Sequence, residues 1–239
     1  MKKLIYSAAA LAIAFFAASC QRENLEPVAQ ENTVTYTVEL PGVETKAIAD
    51  GSNVDKLVYE VWKINEKDRF DVTTDLTTVG TRLYQKTVDM RQEAGETSRA
   101  FVTLNLVQDQ EYTILFWAQN SKAIDKKSPA YNTDNLTAVT YAADILSGKK
   151  TPANNESLAA FFAVDFVSEG DPRSKTVYLK RPFAQLNIGT LNTVKKEEYT
   201  INMKESKVKV SSVPTVFNVA TSVASEEYPF VFDTAILPN

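Results

Sequence analysis

The sequence predicts an all-β protein, an antiparallel β-sandwich with little helix. Short segments of alternating or continuous apolar residues, separated by turn-forming residues, recur along most of the chain, as is typical of sandwiches and barrels. Glycine accounts for only 7 of the 239 residues, which argues against a glycine-rich solenoid or a dinucleotide-binding fold. Apolar residues make up 44% of the chain and aromatic residues 10%, so a hydrophobic core can be built.

Residues 1–19 are predicted to be a lipoprotein signal peptide. Lys2 and Lys3 precede an uncharged apolar run over 4–18, and small residues stand directly before Cys20. The run is shorter than the about 20 apolar residues that cross a bilayer, which favours a cleaved secretion signal over a membrane span. Cys20 would be acylated and become the new N-terminus, and each buried CH₂ of its lipid would contribute about 0.8 kcal/mol to anchoring. An ordinary secretion signal with an unrelated cysteine is the alternative.

The first strand is predicted at 33–40, behind a polar tether over 21–32. Its apolar residues alternate with threonines and a glutamate, so one face is expected to be buried. Pro41 and Gly42 end the strand, and 44–51 is interpreted as an exposed linker. The side chains of the predicted buried face are Val34, Tyr36, Val38 and Leu40.

Apolar segments in the middle of the chain predict four further strands, at 57–64, 82–90, 99–107 and 111–119. The last is apolar on both faces, which places it at the centre of a sheet that is covered on both sides. Charged residues over 65–71 indicate a turn. The segment 120–137 is interpreted as a long polar loop.

The rest of the chain predicts more strands and one short helical turn, at 141–146. A strand over 158–167 is followed by a long strand over 175–189, which Pro182 assigns to a sheet edge or a bulge. Further strands are expected at 199–210, 216–219 and 230–232. We therefore predict a tether and first strand over 20–46 and a sandwich domain over 47–212. Residues 213–239 either complete this sandwich or begin a truncated second domain.

Composition excludes several classes of chemistry. The chain has no histidine, and its only cysteine is Cys20, so Ser-His and Cys-His nucleophile pairs cannot form. Zinc, copper and haem sites lose their usual ligands. The net charge of −4 argues against nucleic acid as a partner. We expect a protein that is not an enzyme and needs no cofactor or metal. A carboxylate hydrolase is the remaining enzymatic alternative, and no acidic pair is singled out.

Three smaller patterns were weighed as binding or modification sites. Aromatic residues could stack on a sugar, although strand patterns favour core packing for both tryptophans, so Tyr131 in the predicted loop is the better ligand candidate. Acidic residues over 165–171 could surround calcium, although a solvated turn is the favoured interpretation. The triplet 233–235 is similar to a short O-glycosylation acceptor motif of Bacteroidales. The residues concerned are Trp62, Trp117, Tyr112 and Tyr131; Asp165, Glu169 and Asp171; and Asp233, Thr234 and Ala235.

Several segments taken in order resemble the fimbrillin-like proteins of Bacteroidales, which are lipoprotein pilus subunits and anchors. They are the Cys20 lipobox, the first strand followed by Glu44-Thr45-Lys46-Ala47, 112–118, 160–163 and 179–187. The resemblance covers roughly residues 1–220 and implies a fimbrillin/transthyretin-like N-terminal sandwich domain. The family normally continues into a second sandwich, which this chain nearly lacks.

The resemblance also implies a mechanism of assembly. A protease would cut between Lys46 and Ala47, and the first strand, with Val34, Tyr36, Val38 and Leu40, would leave its groove. A strand from another fimbrial subunit would then fill the groove and build a polymer. The expected location is the outer membrane, held by lipid on Cys20, or the fimbrium itself. We therefore expect a fimbrial structural subunit, anchor or adhesin. A surface lipoprotein that binds a glycan or host protein without polymerising is the alternative.

Overall fold

The computed structural model describes residues 31–41, 51–65, 74–91, 98–147, 149, 155–183, 193–196, 199–202, 206–208, 213–228 and 234–236. Strands dominate, and the two α-helices described are one turn each. The helices are α1 (Leu76–Val79) and α2 (Ala143–Leu146), with 3-10 turns at Leu136–Ala138 and Asn155–Leu158. No helix among these residues is long and apolar enough to cross a membrane.

The strands of the main body are β1 (Glu31–Glu39), β2 (Lys56–Ile64), β3 (Gly80–Asp89), β4 (Arg99–Val107), β5 (Tyr112–Gln119), β6 (Tyr131–Asn132), β7 (Val139–Tyr141), β8 (Ala160–Val167) and β9 (Ser174–Tyr178). Six shorter ones follow: β10 (Thr193–Lys196), β11 (Tyr199–Asn202), β12 (Ser206–Val208), β13 (Val213–Asn218), β14 (Val223–Tyr228) and β15 (Thr234–Ile236). β10 pairs with β11, and β12 pairs with β15.

Two sheets face each other and confirm the predicted β-sandwich. The front sheet has the strand order β4-β1-β9, and the middle sheet has the order β3-β2-β5-β8. Their facing side chains form one hydrophobic cluster, to which β1 contributes every second residue. Apolar burial of this kind is the main favourable term in folding.

The middle sheet is covered on its other face as well. A back sheet of order β14-β13-β7-β6 lies there with the chain over 120–138. All eight residues of β5 are buried, so the predicted central strand with two covered faces is confirmed. The second cluster joins Val58, Trp62, Leu115, Trp117 and Phe162 of the middle sheet to Ala130, Tyr131, Leu136, Val139, Phe217 and Val219.

Two sequence predictions were wrong. The polar loop expected over 120–137 contains β6 and a 3-10 turn, and it buries Ala130, Tyr131 and Leu136 because they cover the middle sheet. The long strand expected over 175–189 ends at Tyr178, before Pro182. Between Tyr178 and Phe183, the last described residue of this segment, the only pairing described is a single bridge between Lys180 and Phe162.

Several of the smaller elements agree with the sequence, although β10, β14 and β15 were not predicted. α2 lies within the helical turn expected at 141–146, and β8 lies within 158–167. β13 pairs with β7 and packs Phe217 on the middle sheet. The segments 66–73, 184–192 and 229–233 lie outside the described residues, and with them most of the turn expected at 65–71 and the strand expected at 230–232.

Candidate functional site

β1 is the central strand of the front sheet and the candidate functional element of the protein. Its threonines lie on the outer face, and the alternate side chains point into the sandwich, so the alternation predicted from the sequence is confirmed. The four inward side chains expose 4% of their surface or less: Val34 1%, Tyr36 0%, Val38 0% and Leu40 4%. Together their burial contributes about 6–12 kcal/mol of apolar transfer free energy.

β1 is hydrogen-bonded along both of its edges. It runs antiparallel to β4, with Tyr36 opposite Val102. It runs parallel to β9, with Tyr36 opposite Lys175. The parallel pair departs from the all-antiparallel arrangement that the sequence predicted, and it is allowed because a long crossover separates β1 from β9. Without β1, β4 and β9 would each present an unpaired edge to an empty groove.

The covalent connection of β1 to the following strands runs through residues 42–50. This segment lies outside the described residues, and so do Lys46 and Ala47, the predicted cleavage site. Cys20, the predicted lipid attachment site, also lies outside them. Cleavage, acylation and the predicted removal of β1 therefore stay predictions.

A polar cluster holds β1 to the opposite sheet, and we call it the Tyr36 clasp: Tyr36, Asp165, Lys175 and Asp171. The hydroxyl of Tyr36 donates a hydrogen bond to Oδ2 of Asp165 on β8, at 2.9 Å. Nζ of Lys175 on β9 donates to the same oxygen at 3.0 Å, to Oδ2 of Asp171 at 2.9 Å and to the carbonyl oxygen of Phe166 at 2.6 Å. All three ammonium protons are therefore used.

The protonation states of the clasp follow from its surroundings. Burial, reinforced by the Asp165 carboxylate, raises the pKa of Tyr36 well above its ordinary value, so the hydroxyl keeps its proton and donates. Partial burial works to lower the pKa of Lys175, but hydrogen bonds from its nitrogen to Asp171 and Asp165 outweigh burial and raise it. Partial burial works to raise the pKa of Asp171, but hydrogen bonds from Lys175 and Ser168 outweigh it and lower that pKa.

The lowered pKa of Asp171 predicts a pH-dependent contribution to stability. Because the folded state binds the Asp171 proton more weakly than the unfolded chain, the contribution is present in full above about pH 4 and is lost as pH falls through the lower pKa of the folded state. We expect the Asp171→Asn variant to have a lower melting temperature than the wild type at pH 7. The difference between the two melting temperatures should approach zero at pH 2–3. Melting curves of both proteins over this range test it, and a difference independent of pH would contradict it.

The four candidate sugar-stacking aromatics are all buried in the described structure. Trp62, Trp117 and Tyr112 pack within the two clusters, which confirms the core interpretation for the tryptophans. Tyr131, the better ligand candidate of the four, is only 3% exposed and packs in the core as well, so it is not placed to bind a sugar. Its ring meets Trp117 at a centroid distance of 5.4 Å, and its hydroxyl donates to the carbonyl oxygen of Leu158.

The candidate calcium residues are arranged around an amino group instead. Asp165 and Asp171 converge on Nζ of Lys175, while Glu169 is exposed on the β8–β9 turn. Asp171 also accepts a hydrogen bond from the backbone N–H of Ser168, which closes that turn. Among the described residues no group of three acidic side chains is placed to hold a metal ion. Of the glycosylation-like triplet, Thr234 and Ala235 lie in β15, and Asp233 lies outside the described residues.

Sequence reasoning missed a second polar cluster, built on the fully buried carboxylate of Glu60 in β2. Its Oε2 accepts from Nε1 of Trp62 at 2.8 Å. Its Oε1 accepts from Arg82 and Gln85 at 2.9 Å and from the backbone N–H of Leu136 at 3.1 Å. The sequence did indicate this cluster, because Glu60 is an acidic residue within a strand that is apolar on both faces, and such a residue has to be buried and paired.

The fold and the site together define a layered all-β protein in which an N-terminal strand completes the front sheet. The chain belongs to a family of unknown function, DUF6562, whose family model matches residues 26–238. Among solved structures it is similar to a fimbrial assembly protein from Parabacteroides distasonis ATCC 8503. That similarity has 13% sequence identity and a TM-score of 0.39, and it covers 85% of this chain and 73% of the other. Curated protein sequences give no significant match.

Proposed function

We propose that the protein is an exported, lipid-anchored structural subunit or anchor of a surface fimbrium, that it joins other subunits by exchange of β1, and that it acts without catalysis. The observation that carries the proposal is the position of β1. It is fully integrated into the front sheet, yet its connection to the following strands is one short segment that includes Lys46.

Removal of β1 would create a strong acceptor for another strand. The groove would lose four buried side chains, and β4 and β9 would lose their pairing partners. An apolar groove flanked by unpaired edges binds an extended segment through backbone hydrogen bonds and alternate side chains. Because donor and acceptor surfaces differ, such contacts are head-to-tail and build a fibre. Lipid on Cys20 would keep the chain at the outer membrane until cleavage, or permanently in an anchor.

A second candidate is a surface lipoprotein that retains β1 and binds a glycan or a host protein. The outer face of the front sheet favours it, since Phe101 and Tyr178 are 63% and 69% exposed there. Exposed aromatic rings are typical anchors at binding surfaces. In this candidate the Tyr36 clasp holds β1 in place throughout the life of the protein.

The N-terminus and the intact mass of protein recovered from the cell envelope separate the two candidates. We expect a chain that begins at Ala47 within high-mass polymer, and we expect Lys46→Ala to accumulate as a full-length lipidated monomer. Lys122→Ala, which removes an exposed lysine of another loop, is the matched control and should polymerise normally. Normal polymer from Lys46→Ala would overturn cleavage at this site, and a wild-type chain that begins at acylated Cys20 would favour an anchor or the second candidate.

A further inference from the structure

The four inward positions of β1 do not have equivalent surroundings. Val34 pairs with Leu104 of β4, and Val38 pairs with Ala100 of β4 and Val177 of β9, so both lie among apolar residues. Tyr36 differs, because its β9 neighbour is Lys175 and its hydroxyl reaches Asp165. Tyr36, at the second of the four inward positions, is therefore the one whose side chain reaches charged groups.

The hydroxyl of Tyr36 and its ring have separate partners. The ring packs edge-on against Phe116, with centroids 5.4 Å apart and an interplanar angle of 61°. Beyond the ring, Oδ2 of Asp165 accepts a hydrogen bond from the hydroxyl, and this carboxylate is partly buried at the margin of the sandwich. A phenylalanine in this position would fill the ring space but remove the hydroxyl donor, so this oxygen would lose one of the two hydrogen bonds described for it. A smaller residue would also leave a cavity beside Phe116.

We propose that Asp165 is a specificity-determining residue. It favours binding, in the groove between β4 and β9, of a strand with tyrosine at its second inward position. This inference rests on the proposed function, since it specifies the partner in strand exchange. A hydrogen bond to a charged group contributes enough that its loss weakens capture about 10- to 100-fold. Lys175 holds the carboxylate in place, and Asp171 in turn holds Lys175.

The sequence supplies a test of which segments meet this requirement. The chain has ten tyrosines, and Tyr36 alone has valine, leucine or isoleucine two positions before it and both two and four positions after it. Within this protein, only β1 itself therefore satisfies all four inward positions. The occupant that the groove accepts is therefore a strand of another subunit that carries the same pattern as β1, with valine, tyrosine, valine and leucine at alternate positions.

The experiment uses the full-length chain with a specific protease site inserted within 42–50. After cleavage, the protein is mixed with a fluorescent peptide of sequence 31–41 or with the same peptide carrying phenylalanine in place of Tyr36. Incorporation is followed by size-exclusion chromatography and by competition with the unlabelled tyrosine peptide. We expect the tyrosine peptide to be captured about 10- to 100-fold more tightly than the phenylalanine peptide.

Two variants assign the preference to the carboxylate. Asp165→Ala is expected to bind both peptides equally, whereas Glu169→Ala, the matched control, removes an exposed carboxylate of the β8–β9 turn outside the Tyr36 clasp and should retain the preference. Equal capture of both peptides by the wild-type protein would overturn the role of Asp165 while leaving strand exchange intact. If neither peptide enters the cleaved protein, strand exchange itself fails, and the proposed function falls with it. Should Asp165→Ala fail to fold, the comparison of the two peptides on the wild-type protein decides alone.

Discussion

Val38→Asp is expected to prevent the chain from folding into the sandwich. Val38 is fully buried near the C-terminal end of β1, between Ala100 and Val177. A carboxylate placed there would have to shed its hydration or take up a proton, and either change costs several kcal/mol. Domains of this size are stable by only about 5–15 kcal/mol. Far-UV circular dichroism and thermal unfolding measure the outcome.

The matched control lies one residue away. Thr37→Asp introduces the same side chain on the outer, half-exposed face of the same strand, where the expected cost is a strand-propensity effect of at most about 1 kcal/mol. A large difference between the two variants would establish that β1 is docked before any cleavage. Equal melting temperatures for Val38→Asp and the wild type would refute the docked strand, and the proposed exchange of β1 would lose its basis.

Glu60→Ala is expected to destabilise the protein by about 2–4 kcal/mol, because it removes a fully buried carboxylate that accepts four hydrogen bonds and leaves buried donors without an acceptor. The side chains of Arg82, Gln85 and Trp62 and the backbone N–H of Leu136 would all lose their acceptor. Since Arg82 and Gln85 also donate to the carbonyl oxygens of Asp134 and Thr133, the attachment of this loop to the middle sheet weakens as well. Urea unfolding followed by tryptophan fluorescence reports both effects.

Two further variants show whether the loss belongs to the buried network. Asp89→Ala removes a carboxylate from the exposed ion pair with Lys56, and no measurable loss of stability is expected there. Glu60→Gln keeps an oxygen for three donors but turns an amide N–H₂ toward Nε1 of Trp62, so it should fall between the wild type and Glu60→Ala. A Glu60→Ala protein as stable as Asp89→Ala would show that the network contributes nothing to folding.

The sequence was sufficient to predict strands whose environment is regular. The alternation of Val34, Tyr36 and Val38 with threonines identified the buried face of β1, because a strand turns successive side chains to opposite sides. The continuous apolar run of β5 likewise predicted its central place. These predictions depend only on residues that are neighbours in sequence, which is why they can be made from the sequence alone.

Other features depend on contacts between distant residues. The hydrogen bond from Tyr36 to Asp165 spans 129 positions of the chain, and no local pattern indicates which acidic residue a strand tyrosine will meet. The loop over 120–137 was misjudged for a related reason. Its buried residues Ala130, Tyr131 and Leu136 are spaced irregularly among polar ones, so their burial follows from the middle-sheet face that they cover.

The parallel pairing of β1 with β9 also bears on export. Thr35 lies opposite Ser174, so the partner of the first strand is synthesised about 140 residues later. Contacts this distant in sequence close slowly, because a long loop has to be ordered first. The front sheet therefore cannot be completed while the nascent chain still lacks β9. If the chain is exported as proposed, the secretion channel would receive an unfolded segment during that interval, and late closure of the sheet would keep the chain competent for translocation.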